Sequence, residues 1–143
     1  NVELPPIDQV GYVVRDLDAT IARYQHLFGP FTCMDSPLTG VLYRGKPTDV
    51  TLRIAFGSTG NLEIEFIEVV SGASPHKEFV DAGREGIHHI RYRVSDCDAT
   101  IAALADEGFA PIWYHDMGFA KFAYLEHTSC DGVLIELLEM ASA

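Results

Sequence analysis

A carboxylate flanked by leucines raises the first chemical question in this chain. In "VLIELLEM" (Val133 to Met140), strand geometry puts Leu134, Glu136 and Leu138 on one face and Ile135 and Leu137 on the other. An ionised carboxylate buried without a partner costs several kcal/mol or more, so Glu136 must be protonated, paired with a cation, or bound to a metal. "LEIEFIEVV" (Leu62 to Val70) carries the same phrase, with Glu65 in the place of Glu136 and Glu68 in the place of Glu139. Two carboxylates facing one cavity repel each other unless something positive lies between them.

Two further side chains join them. In "IDQVGYVV" the alternation of Val10, Tyr12 and Val14 sets Gln9, Gly11 and Val13 on the opposite face, and in "IHHIRYRV" it sets His89, Arg91 and Arg93 there. Gln9, Glu65, His89 and Glu136 are thus two positions from first strands and two from last strands. Three oxygens and one imidazole suit a divalent zinc, nickel, cobalt, manganese or iron ion with room left for substrate. A salt bridge to Arg91, Arg53 or Lys121 would explain one buried glutamate; four related positions together point to metal. His88, next to His89, is expected to point away from it, in a structural or interface role.

These positions are related because the chain repeats itself. A shift of 80 residues lays Asp16–Ala22 on Asp96–Ala102 with six identities in seven. Each copy opens with an alternating strand, continues into a helix with Asp16 or Asp96 as N-cap, and reaches Gly29 or Gly108. The helix in copy one has Ile21, Tyr24, Leu27 and Phe28 at roughly helical spacing, and copy two has Ile101 and Leu104. Short β-rich runs follow: "GVLYRG" and "DVTLRIAFG" in one half, "FAPIWYH" and "FAKFAYLE" in the other. The expected architecture is α+β, a β-α-β-β-β module used twice, its helices outside and its inner faces forming a half-barrel cleft that holds the metal. Residues 1–143 form a single domain in this reading, with module one at about 5–70, module two at about 87–140, and 71–86 as a linker with one helical turn around His76 to Asp81. Exposed module edges favour a homodimer.

Composition narrows the function classes. Apolar content is 48% with no run long enough to span a membrane. A formal charge of −11 disfavours binding to a nucleic-acid backbone. Cys33, Cys97 and Cys130 are widely spaced and odd in number, against both a disulfide framework and a thiolate zinc site. "NVELPPIDQVG" lacks a basic region followed by an apolar segment. The expectation is a cytoplasmic protein acting on a small molecule.

The phrases "IDQVGYVVRDLDATIARYQHLFGP", "NLEIEFIE", "EGIHHIRYRVSDCDATIAAL" and "FAYLEHTSCDGVLIELLE" resemble the vicinal oxygen chelate superfamily of glyoxalases, bleomycin-resistance proteins and extradiol dioxygenases. They look most like its methylmalonyl-CoA epimerase branch. The resemblance implies a paired βαβββ fold, usually dimeric, and a metal that holds two neighbouring substrate oxygens. It places the family's four ligand positions on Gln9, Glu65, His89 and Glu136. The epimerases have histidine at position 9 and often glutamine at position 65; the set found here looks like that of human-type glyoxalase I. No glutamate lies between Thr39 and Asn61, where the epimerases carry a base.

The implied chemistry is removal of a proton beside a carbonyl, as in an isomerase, epimerase or lyase, with a thioester among the possible substrates. Glu136 is the first choice of base and His115 a second, beside Tyr114. Arg91, Arg93 and Tyr43 are candidates for substrate binding, with ion pairing to acids as the other reading of the two arginines. Trp113, Phe119, Phe122 and Tyr124 either line an apolar pocket or belong to plain core. Two other functions share the fold: a metal-free binding or resistance protein, and a dioxygenase that would need a second histidine where Gln9 stands.

Overall fold

A computed structural model describes residues 2–141. The order is β1 (Gln9–Val13), α1 (Leu17–Phe28), β2 (Thr32–Tyr43), β3 (Lys46–Thr59), β4 (Leu62–Ser71), α2 (Pro75–Asp81), β5 (Gly86–Arg93), α3 (Cys97–Ala105), β6 (Phe109–Asp116), β7 (Ala120–His127) and β8 (Leu134–Met140). The repeated module is therefore present as expected. The connecting segment holds a two-turn helix, α2.

The eight strands close into one barrel in the order β1-β4-β3-β2-β6-β7-β8-β5. Within each module the first strand runs parallel to the last, β1 with β4 and β5 with β8. The modules join each other antiparallel, β1 to β5 along most of β1 and β2 to β6 only at Leu42–Tyr114 and Tyr43–Trp113. This corrects the expectation of exposed module edges: the strands that would have been free are paired across the repeat.

Three apolar clusters follow from period-two sorting. Val14, Leu17, Ala55, Ile64 and Phe66 pack with Ile21, Tyr24 and Phe28 beneath α1. Cys97, Leu104, Ala123, Leu125 and Leu137 pack with Ile101 beneath α3. Val13, Leu52, Ile54, Ile67, Trp113 and Tyr124 belong to the third, inside the barrel and against Phe79 of α2. Leu27, expected on the apolar side of α1, is exposed.

The doubled glutamate of the last-strand phrase now has a physical account. Residues three apart on a strand face opposite ways, so Glu65 and Glu136 point inward while Glu68 and Glu139 point out to the helices. Glu68 accepts the Leu17 amide at 2.9 Å and Glu139 accepts the Cys97 amide at 2.8 Å, and Asp16 and Asp96 cap the same helices through Ala19 and Ala99 at 3.0 Å. These bonds satisfy amides that lack an intrahelical partner, and the negative charge suits the helix N-terminus. We expect Glu139→Ala to lower stability by about 1–2 kcal/mol in urea unfolding, with metal content unchanged.

Candidate metal centre and cavity

Gln9, Glu65, His89 and Glu136 meet at one point. His89 Nε2 lies 3.2 Å from Gln9 Oε1, 3.1 Å from Glu65 Oε1 and 3.3 Å from Glu136 Oε1. All four residues are buried, His89 and Gln9 almost completely. The pairing of β1 with β5 makes this approach possible, because it sets Gly11 directly opposite His89. With no side chain at Gly11, the imidazole lies flat over the neighbouring strand; a Cβ there would overlap ring atoms Cε1 and Nε2.

His88 is the surprise. The β1–β5 register slips between Gly11 and Tyr12, leaving His88 unpaired in a bulge, and both histidines turn inward. The expectation that His88 points away from His89 is corrected: its Nδ1 lies 3.0 Å from His89 Nδ1. Burial pushes the pKa of His88 well below the usual histidine range, with the neighbouring His76 and His89 pushing the same way, so the ring is neutral. A backbone hydrogen bond to Pro75 opposes this only in part, and the contact with His88 anchors the Nδ1 side of His89. His89 Nε2 faces the three oxygens.

That arrangement demands positive charge. Burial alone would lower the pKa of His89, but its bond to Glu65 and the charges of Glu136 and Glu65 outweigh this and raise it. For Glu136, burial pushes the pKa up to about 7, opposed first by His89. Among the described residues no three His, Cys, Asp or Glu side chains form a finished metal cage; the oxygens close on the imidazole nitrogen itself. The donor set, two carboxylates, an amide oxygen and an imidazole with its second nitrogen anchored, nonetheless fits a divalent cation.

A cavity of about 170 Å³ adjoins the cluster, walled by Glu65 and Glu136 together with Leu38, Ile54, Trp113 and Phe122. His76 and Tyr124 also line it, and sequence reasoning missed the first and left the second between pocket and core. His76 enters from α2, whose N-cap Ser74 binds the Lys77 amide at 3.0 Å. Its Nε2 lies 2.8 Å from the Tyr124 hydroxyl, its ring stacks on His88, and its Nδ1 has no hydrogen-bond partner among the described residues. The signal was present in "SPHKEF": Ser-Pro opens a helix, and the next residue then faces the barrel.

The remaining candidates fall elsewhere. Arg91 bonds Asp8 at 2.8 Å and approaches Glu63 at 3.5 Å, the ion pairing that was its other reading. Arg93 is exposed. Tyr43 donates its hydroxyl to Glu78 of α2, which also holds Arg44 at 2.8 Å. His115 is half-buried with its ring 5.7 Å from Phe122, and it is not part of the cavity wall. Phe119 is exposed.

Comparison with known proteins places this geometry. The Bacillus subtilis (strain 168) protein YqjC, itself uncharacterised, is 24% identical over 136 residues, 93% of this chain and 91% of that one. The crystal structure of methylmalonyl-CoA epimerase from Mycobacterium tuberculosis is similar with a TM-score of 0.68 at 24% identity, over 97% of this chain and 90% of that one. A Streptomyces coelicolor methylmalonyl-CoA epimerase variant in complex with 2-nitronate-propionyl-CoA gives 0.69 at 24% identity, over 99% and 98%. Residues 8–124 match the family model of the glyoxalase/bleomycin resistance protein/dioxygenase superfamily. That match runs from β1 into β7 and includes three of the four converging side chains, and the chain belongs to this superfamily.

Proposed function

We propose that the protein is a metal-dependent isomerase or epimerase, or a lyase of the same chemistry, that removes a proton beside a carbonyl group. The observation that carries this reading is the convergence of Gln9, Glu65 and Glu136 oxygens within 3.3 Å of His89 Nε2, at the wall of a cavity. A divalent ion held by these four residues would supply Lewis acidity, stabilising negative charge on the substrate oxygen.

The chain's own groups do the rest. Glu136 would act as the base when it leaves the ion, where burial raises its affinity for a proton taken from carbon. Leu38, Ile54, Trp113 and Phe122 give the wall beside Glu136 an apolar surface, which would limit the water around a carbanion-like intermediate. His115 lies outside the cavity wall, which supports Glu136 as the base over it. The names of the similar structures, epimerases that handle a methylmalonyl thioester, support the same reaction class. Gln9 supports an isomerase over a dioxygenase, which would need a second histidine ligand.

Proton exchange tests this directly. With zinc-loaded protein in D2O, methylmalonyl-CoA and dihydroxyacetone are followed by proton NMR at the carbon beside the carbonyl. The reading expects exchange into at least one of them, reduced by about 100-fold or more in Glu136→Gln. Exchange that continues at the original rate in Glu136→Gln contradicts the assignment of the base.

A further inference from the structure

The chain has ten Lys and Arg residues, and none of them lines the cavity beside Glu65 and Glu136. Arg91, nearest in sequence to the cluster, is held by Asp8 and Glu63. Arg44, Arg53, Lys77 and Lys121 are each paired with surface acids, and Arg84 lies over the Phe79 ring at 4.5 Å. The polarity of the cavity, apart from the two carboxylates, is neutral: the Ser36 hydroxyl and the linked His76 and Tyr124 side chains. At about 170 Å³ its size is close to that of cavities that hold a single benzene.

We propose that the part of the substrate that enters this cavity, beyond the oxygens that meet the cluster, is small and apolar and carries no anionic group. The proposal rests on the metal reading above and narrows it. A carboxylate on the remainder would meet leucine, isoleucine and tryptophan and lie close to two like charges, while the nearest cation, Arg91, is already held by Asp8 and Glu63. The oxygens that meet the cluster are the one place where negative charge is matched.

Two hydroxamates of similar size test this, because each offers two adjacent oxygens and they differ only at the far end. Butanohydroxamic acid ends in a methyl group, and the monohydroxamic acid of succinic acid ends in a carboxylate. Calorimetric titration of zinc-loaded protein, with zinc content measured on the same sample, is expected to show the methyl compound binding at least about tenfold more tightly. Leu38→Lys, which brings a cation to the cavity wall, narrows that ratio at least about fivefold, whereas Glu107→Gln, the same charge change at an exposed site, leaves it unaltered. Equal affinities, a preference for the carboxylate, or equal narrowing by both variants overturns the proposal and leaves the metal reading intact. Failure of the protein to take up zinc overturns both.

Discussion

Gly11→Ala is expected to weaken metal binding at the proposed centre without replacing any of its four candidate ligands. The new methyl group occupies the space of His89 Cε1 and Nε2, and the ring has to swing off the β1 backbone. His89 Nε2 is the point on which three oxygens converge, so a rotation of the ring separates the imidazole from Gln9, Glu65 and Glu136 together. Tyr124, with its ring 4.8 Å away, and His88 close off the alternative positions. We expect metal affinity to fall by about 100-fold, the upper end of what displaced supporting groups cost, and stability to fall by about 1–3 kcal/mol from overpacking. Competition against a chromophoric chelator measures the first and urea unfolding the second. Affinity unchanged in Gly11→Ala would mean that His89 is not placed by its contact with this glycine.

Acid destabilises the protein through His76. Burial, reinforced by the charge of His89, depresses its pKa from 6.5 to about 3. The unfolded chain therefore binds a proton that the folded chain refuses. The stability linked to this group is complete above about pH 6.5 and is lost as pH falls toward 3, with about 2 kcal/mol gone at pH 5. Urea midpoints measured between pH 7.5 and 4.5 should show this slope in the original protein. In His76→Phe the slope flattens, while the loss of the bond to Tyr124 lowers stability by about 1 kcal/mol at every pH. His88, held low mainly by its own burial, keeps most of its share of the slope in both proteins, so the difference between them reports chiefly His76. Equal slopes would contradict a neutral, buried His76.

The site was legible in the sequence wherever a strict period of two holds. Gln9 and Glu65 lie on regular stretches of β1 and β4, and parity alone turns them inward. The repeat supplied the rest, since His89 occupies the place of Gln9 and Glu136 that of Glu65. Parity fails where the strand carries an extra residue. The bulge at His88 turns two consecutive side chains to one face, and a second irregularity between Pro111 and Trp113 brings both Ile112 and Trp113 into the barrel core. A bulge depends on the register of the partner strand, which the sequence of β5 or β6 alone does not contain.

Contacts between elements distant in the chain were equally hidden. His76 meets Tyr124 across 48 positions, and Arg91 meets Asp8 across 83. Facing the interior was therefore read correctly for Arg91, but the acids that claim its guanidinium were not foreseeable. Strand length was underestimated for the same kind of reason. β2 begins at Thr32 because its polar and exposed residues, "TCMDS", pair with β3 and not with any hydrophobic layer.

Metal content per chain is the measurement that bears most directly on this account. Plasma mass spectrometry on protein purified without a histidine tag, beside Glu136→Ala prepared in the same way, compares the cluster with and without one of its carboxylates. The account predicts near one equivalent of zinc, nickel, cobalt, manganese or iron in the original protein and its loss in the variant. The absence of metal from both, persisting after each ion is added back, would contradict it.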